Sequence, residues 1–148
     1  MKIKQTKNVD LIRSIVTNPI LWKQAGHDGD PIFYTPYLGN IWLIGQKDNK
    51  NVGLLELKQI TAITYEAHIR ILPEFQGTGE SVEFAQNVRK FIKNSCKNIH
   101  NLVCHVPMEC KYVINFLSRL NLKVNGLIRN GIIYNNTLQD LIIFQLEV

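Results

Sequence analysis

Cysteine is scarce in this 148-residue chain: Cys96, Cys104 and Cys110 are the only three, an odd number with no Cys-x-x-Cys spacing. That excludes a disulfide framework and a zinc ribbon, and reduced, mostly buried thiols are expected. No apolar run approaches the length of a bilayer span; stretches such as Leu141 to Phe144 fall far short. The basic N-terminus is not followed by an apolar signal core, so a cytoplasmic protein without membrane contact is expected. Lysines and arginines are not clustered or interleaved with aromatics, so a nucleic-acid partner rests on overall charge alone. There is no internal repeat and no low-complexity tail.

What is present suits one domain, residues 1–148, with room for a substantial core. Seventeen basic against twelve acidic residues give a net charge of +5, which favours an anionic cofactor without identifying one. Met1 to Thr6 reads as a first strand, and Thr6 or Asn8 can cap the helix carrying Leu11, Ile12, Ile15 and Val16. Pro19 should end or break that helix. A short turn from Ile20 to Ala25 then brings Trp22 toward the core. From Gly26 to Pro36 the composition becomes loop-like. There His27, Asp28 and Asp30 read as a solvated turn rather than a metal site, and Phe33, Tyr34 and Tyr37 as anchors of the loop or walls of an acceptor pocket.

Ile41 to Gly45, Val52 to Ile60 and Ala62 to Leu72 read as three antiparallel strands, the first two joined by a turn at Lys47 to Asn51. In the third, Ile63, Tyr65, Ala67, Ile69 and Ile71 alternate with Thr64, Glu66, His68 and Arg70, giving one apolar and one polar face. After it Phe84, Val88, Phe91 and Ile92 recur at helical spacing, with Glu80 and Glu83 in the first turn and Lys90 and Lys93 near the end. Ile99 to Val106 is a strand stopped by Pro107. Glu109 to Arg119 is a second amphipathic helix, and Leu122 to Tyr134 and Leu138 to Leu146 are two closing strands about a turn at Asn135-Asn136. Cys104, His105 and Cys110 lack a fourth ligand for zinc, so no metal is expected. This order implies an α+β (mixed α/β) fold with a central sheet covered by helices.

Between the amphipathic strand and the long helix lies Leu72-Pro73-Glu74-Phe75-Gln76-Gly77-Thr78-Gly79-Glu80-Ser81. Glycines permit positive φ and close approach of a ligand, and a helix N-terminus presents unpaired N–H groups carrying about half a positive charge, so the turn reads as a phosphate cradle. A tight structural connection is the competing reading. The pattern Gln-x-x-Gly-x-Ser at Gln76, Gly79 and Ser81 resembles the acetyl-CoA loop of the GNAT acyltransferase superfamily, in which Gln or Arg, two free residues, Gly, one free residue and Gly or Ala follow one another. Ser81 departs by one small side chain. The element order resembles that of GNAT domains over nearly the whole chain, as does the opening Ile3 to Leu11. The segments Leu72 to Gly79 and His105-Val106-Pro107 are also similar to acetyltransferase-like proteins of tailed bacteriophages.

The resemblance implies a GNAT-like sheet of about seven mostly antiparallel strands, and transfer of an acyl group from acetyl-CoA or another acyl-CoA to an amine. It implies that the amides of Gln76, Gly77, Thr78, Gly79, Glu80 and Ser81 hold the pyrophosphate. Main-chain groups near Ile69 and Ile71 would then pair with the pantetheine arm, and the N–H of Ile71 or Leu72 would polarise the thioester carbonyl. For the base, Glu66 and His68 lie about 6.6–6.8 Å apart along one face of the strand, and either can act directly or through water. Aligned on the last helix, the family pattern Asn-x-x-Ala-x-x-x-Tyr-x-x-x-Gly-Phe falls on Cys110, Val113, Leu117, Asn121 and Leu122. Leu117 thus replaces the tyrosine that commonly reprotonates the leaving thiolate. With Glu80 beside the phosphate position, this keeps open a protein of the same fold without turnover, acting as a binding or structural module in a phage context. The acceptor is not legible, and a homodimer through the last strands is compatible with the pattern.

Overall fold

The computed structural model describes residues 1–26 and 30–148. The His27 and Asp28 members of the acidic loop cluster therefore lie outside the described residues. Strand β1 (Lys2–Gln5) leads into α1 (Val9–Val16), whose N-cap is Asn8: its Oδ1 accepts the Leu11 N–H at 2.9 Å. Thr6 instead accepts the Asn8 N–H through its hydroxyl oxygen at 3.2 Å. Pro19 does not simply end the helix. It is the first residue of α2 (Pro19–Gln24), where a missing N–H costs nothing, and Asn18 caps that helix by accepting from Ile20 and Leu21. Leu21 is the fully buried residue of α2, and Trp22 packs against the same cluster from its edge. Trp22 is half-buried, its ring edge-on to Tyr34 at 5.9 Å.

After a 3₁₀ turn at Pro31–Phe33 the chain forms β2 (Ile41–Lys47), β3 (Lys50–Gln59) and β4 (Thr64–Ile71). Asp48 and Asn49 both adopt positive φ, so the hairpin closes in two residues and the strands run further than the sequence pattern suggests. A second 3₁₀ turn, Pro73–Phe75, precedes α3 (Gly79–Ser95). Then come β5 (Asn101–Pro107), α4 (Lys111–Arg119), and β6 (Lys123–Tyr134) and β7 (Thr137–Glu147), joined at Asn135 and Asn136, again with positive φ.

The seven strands form one sheet in the order β1-β2-β3-β4-β5-β7-β6, with every neighbouring pair antiparallel except β4 and β5. One face of the N-terminal part packs Leu43, Leu55, Leu57 and Tyr65 on Phe84, Val88 and Ile92 of α3. The other face packs Trp42, Ile44 and Leu54 on Ile12, Ile15, Val16 and Leu21 of α1 and α2. A third cluster gathers Cys104, Val106, Leu117, Tyr134 and Phe144 around α4. Each fully buried large side chain among these contributes roughly 1.5–3 kcal/mol. Phe84 lies flat on the sheet because Gly45 has no side chain: a Cβ there would sit 2.3 Å from the ring.

Of the loop aromatics, Tyr37 lies with its ring against Gly39 and, with Tyr34, walls a small pocket beside Arg70. Phe33 and Tyr37 are 84% and 71% exposed, and Tyr37 is fixed through its backbone, whose carbonyl accepts the Trp42 indole N–H at 3.0 Å. No helix among the described residues is long and apolar enough to cross a membrane.

Candidate active site

The parallel contact of β4 with β5 is short. Thr64, Tyr65 and Glu66 pair with Asn101, Leu102 and Val103, and there the pairing stops. On its other edge β4 is fully engaged: the Leu72 N–H donates to the Val52 carbonyl and the Ile60 N–H to the Thr64 carbonyl, both at 3.0 Å. In an antiparallel ladder, residues whose backbone groups face the neighbour alternate with residues that face away. The even-numbered positions of β4 are thus committed to β3, and past the last pair with β5 the Ala67 carbonyl, both groups of Ile69 and the Ile71 N–H face the gap, the Ile71 carbonyl being taken by the Gln76 side chain.

That gap is the mouth of a cleft of about 1120 Å³. It is lined by Glu66, His68, Ile69 and Ile71 from β4, by Gln76, Gly77, Thr78 and Ser81 from the turn, and by Cys104, His105, Leu117 and Tyr134 across from them. Leu72, Gly79 and Glu80 do not line it. The N–H of Leu72 belongs to the sheet and its side chain packs on the α1–α2 cluster, which leaves Ile71 as the candidate donor to a carbonyl.

At the turn, Gly77 has φ of +74° and Thr78 is the N-cap residue of α3 in extended backbone. The Gln76 and Thr78 amides bond back to Pro73 and Phe75, both at 3.3 Å, so they are used within the turn. The Thr78 hydroxyl donates to Phe75 and that of Ser81 to Thr78. The Glu80 carboxylate folds over its own N–H and also pairs with Lys47 at 3.5 Å, and these contacts, its own backbone bond foremost, hold its pKa down. Among the described residues this leaves Gly77, Gly79 and Ser81 as the uncommitted donors of the first helical turn. A Cβ at Gly77 would meet nothing within 4 Å, so the backbone is open to a ligand there. The Gln76 side chain is not free. Its Nε2 donates to the Ile71 carbonyl at 3.0 Å and to Gln24 Oε1 at 2.9 Å, tying the end of β4 to α2.

Glu66 and His68 do meet, with a partner that the sequence pattern did not single out. His105 Nδ1 lies 2.7 Å from Glu66 Oε1, and His68 Nε2 lies 3.4 Å from Oε2. Burial works to raise the Glu66 pKa, but the His105 hydrogen bond and the two nearby imidazoles together outweigh it and hold the pKa below the ordinary value. The carboxylate is therefore ionised at neutral pH and a weak proton acceptor. His105 follows from the β4–β5 register, since Glu66 pairs with Val103 and His105 is two residues on, along the same face.

Arg70, next along the polar face, is only 9% exposed. Its Nη1 lies 3.5 Å from Glu56 Oε2, but outside hydrogen-bond geometry, so that Nη1 has no hydrogen-bond partner among the described residues. Tyr134 and Tyr112 both donate to the Gln24 carbonyl, at 3.0 and 3.4 Å, and burial raises the pKa of each phenol. Leu117, at the position of the family tyrosine, is buried. Cys104 is buried and its pKa is pushed up to about 12, mainly by desolvation, so it is a thiol and not a nucleophile. The three cysteines are free, and no cluster of three or more His, Cys, Asp or Glu among the described residues is placed to hold a metal.

By sequence, neither a family model nor a curated protein matches the chain. Solved structures do. The crystal structure of spermidine N-acetyltransferase from Vibrio cholerae in complex with CoA and spermine superposes with a TM-score of 0.79 at 16% identity, covering 99% of this chain and 94% of that one. A chimera of the Vibrio cholerae SpeG spermidine N-acetyltransferase and hSSAT gives 0.75 at 16% identity, covering 99% and 96%. A seven-stranded mixed sheet flanked by helices, matched end to end by these structures, is the GNAT fold, and this chain has it.

Proposed function

We propose that the protein is an acyl-CoA-dependent N-acyltransferase, with the acyl group, acetyl or another, passing to an amine in the cleft between β4 and β5. The observation that supports this most is the gap itself: past its short pairing with β5, the open edge of β4, with Ile69 and the Ile71 N–H facing the gap, ends at a glycine turn that opens a helix. An extended amide chain fits the first feature as an added strand would, and a diphosphate fits the second. Gly77 and Ser81 are the turn residues that would hold the phosphates from the cleft wall, with Gly79 behind them at the helix start. Acyl-CoA supplies the activated acyl group when bound.

The chain's own residues would do the following. The Ile71 N–H, on the open edge, donates to a developing oxyanion. His68 would take the amine proton on Nδ1, with its Nε2 facing the Glu66 carboxylate at 3.4 Å. Glu66, itself held by His105, serves as the orienting anion, the role its low basicity suits. Tyr134 and Tyr112 line the same cleft as Leu117 and carry hydroxyls where Leu117 has none.

One observation favours a second reading, a binding module without turnover. Leu117 offers no acid, and the turn carries Glu80 where a positive charge would help. Thermal unfolding with CoA and acetyl-CoA decides first. Ligand at a hundred times its Kd adds about 2.7 kcal/mol, a rise of roughly 5–10 °C for a chain of this size. No rise at millimolar ligand would sink both readings of the cleft. A rise without thiol release over a broad amine panel selects the second.

A further inference from the structure

We propose that the acceptor amine also carries a carboxylate, and that Arg70 receives it in the small pocket adjoining the cleft. This rests on the acyltransferase reading of the same cleft and names its acceptor class. The pocket, about 640 Å³, is walled by Tyr34, Asn40, Glu56, Lys58, His68 and Arg70. Arg70 and His68 also line the main cleft, so the two spaces meet at these side chains.

The unmet valence here is that of a donor. Glu56 is provided for at Oε1, where Asn40 Nδ2 donates at 2.8 Å, and its Oε2 has the Arg70 ion pair at 3.5 Å, outside hydrogen-bond geometry. Arg70 is not, because its buried Nη1 has no hydrogen-bond partner among the described residues. A buried guanidinium with an unused N–H is costly unless something accepts from it, and a carboxylate matches its planar fork. Lys58 and Arg70 against Glu56 leave the pocket walls with an excess of positive charge, setting His68 aside. A polycation would bring like charge to the same place. His68 and Arg70 are two residues apart on one face, about 6.6–6.8 Å along the strand. An amine presented to His68 and a carboxylate on Arg70 therefore belong to one small molecule or one peptide end.

Three probes of matched length separate the possibilities: 6-aminohexanoate, its amide, and 1,6-diaminohexane. Each is titrated into the full-length protein with CoA present while the Arg70 guanidinium N–H resonance is followed, assigned by its loss in Arg70→Lys. Acceptor turnover is measured alongside in the unsubstituted protein, which needs no variant to fold. The expected result is a saturable Arg70 shift with 6-aminohexanoate and at least about tenfold weaker binding of the amide and the diamine, the effect of one charge-assisted hydrogen bond. Equal affinity for all three, or an unmoved Arg70 resonance at tens of millimolar 6-aminohexanoate, overturns the proposal. CoA stabilisation is read in the same samples. If it is present and Arg70 is silent, the acceptor class fails alone; if Arg70 responds and CoA does not bind, the acyl-CoA reading fails instead.

Discussion

Replacing Gly77 by aspartate and, separately, by asparagine tests the phosphate-cradle assignment in a way that separates backbone, shape and charge. Gly77 has φ of +74°, and an L-residue forced into left-handed backbone costs about 1–2 kcal/mol, with Asn and Asp at the lower end. For 148 residues that lowers Tm by roughly 2–8 °C in both variants. Nothing lies within 4 Å of an added Cβ, so no packing penalty is added and both variants should fold. The side chain then projects into the space assigned to the diphosphate. A carboxylate at about 4 Å from one phosphate charge repels it by roughly 1 kcal/mol in bulk water and about 4 kcal/mol at surface dielectric. The Kd for CoA should thus rise about 5-fold to 1000-fold in Gly77→Asp beyond whatever Gly77→Asn loses by bulk. Calorimetric titration of CoA into each, with circular dichroism as the folding check, gives all three numbers. If folded Gly77→Asp binds CoA as tightly as the unaltered chain, the diphosphate is not bound at this turn.

Glu80→Gln should tighten CoA binding, because it removes the carboxylate that now covers its own N–H at the helix start; weaker binding in that variant would mean Glu80 helps the site. Glu66→Gln should lower kcat with the CoA Kd unchanged within about twofold, since the carboxylate orients His68 without touching the phosphate end. The same variant has a pH signature. The Glu66 pKa is lower in the folded chain than unfolded, so its stabilisation is complete above the unfolded carboxylate pKa and fades as pH falls through the folded one. The Tm difference between the two proteins should therefore shrink in acid, and a gap that widens below pH 4 would reverse the sign. Gly45→Ala should destabilise by about 1–3 kcal/mol in urea titrations, because its Cβ would meet the Phe84 ring at 2.3 Å, and adding Phe84→Leu should recover part of that loss.

Much of the fold can be read without coordinates where the signal is local. The alternation along 63–71, the stripe of Phe84, Val88 and Ile92 and the glycine turn between them each have a fixed period or a fixed chemistry, and the elements stand where those signals put them. Of the candidate residues, Glu66, His68, Ile69, Ile71, Gln76, Gly77, Thr78 and Ser81 share one cleft, and Leu72, Gly79 and Glu80 lie outside its lining. What was not legible depends on contacts between distant segments. The Glu66–His105 bond joins residues 39 apart through a parallel register that no local pattern encodes. Lys47 reaches Glu80 only because a two-residue hairpin lays β2 beside the start of α3. Phe33 misled because aromatic residues are usually buried for their size, and whether a loop finds a surface to cover is a tertiary question.

The brevity of the β4–β5 seam bears on motion as well as on chemistry. Three residue pairs, with the His100 and Asn101 N–H groups donating to the Ile63 carbonyl at the closed end, are the backbone joint between a four-stranded blade and a three-stranded one. Beyond that joint the rivet between the two strands themselves is the hydrogen bond of Glu66 to His105, while Tyr134 and Tyr112 also cross the cleft to the Gln24 carbonyl. A small rotation about this hinge line changes the width of the mouth, and the rivet resists it. Protonating one carboxylate thus loosens the hinge and alters the chemistry at once, and amide exchange along β5 would register both.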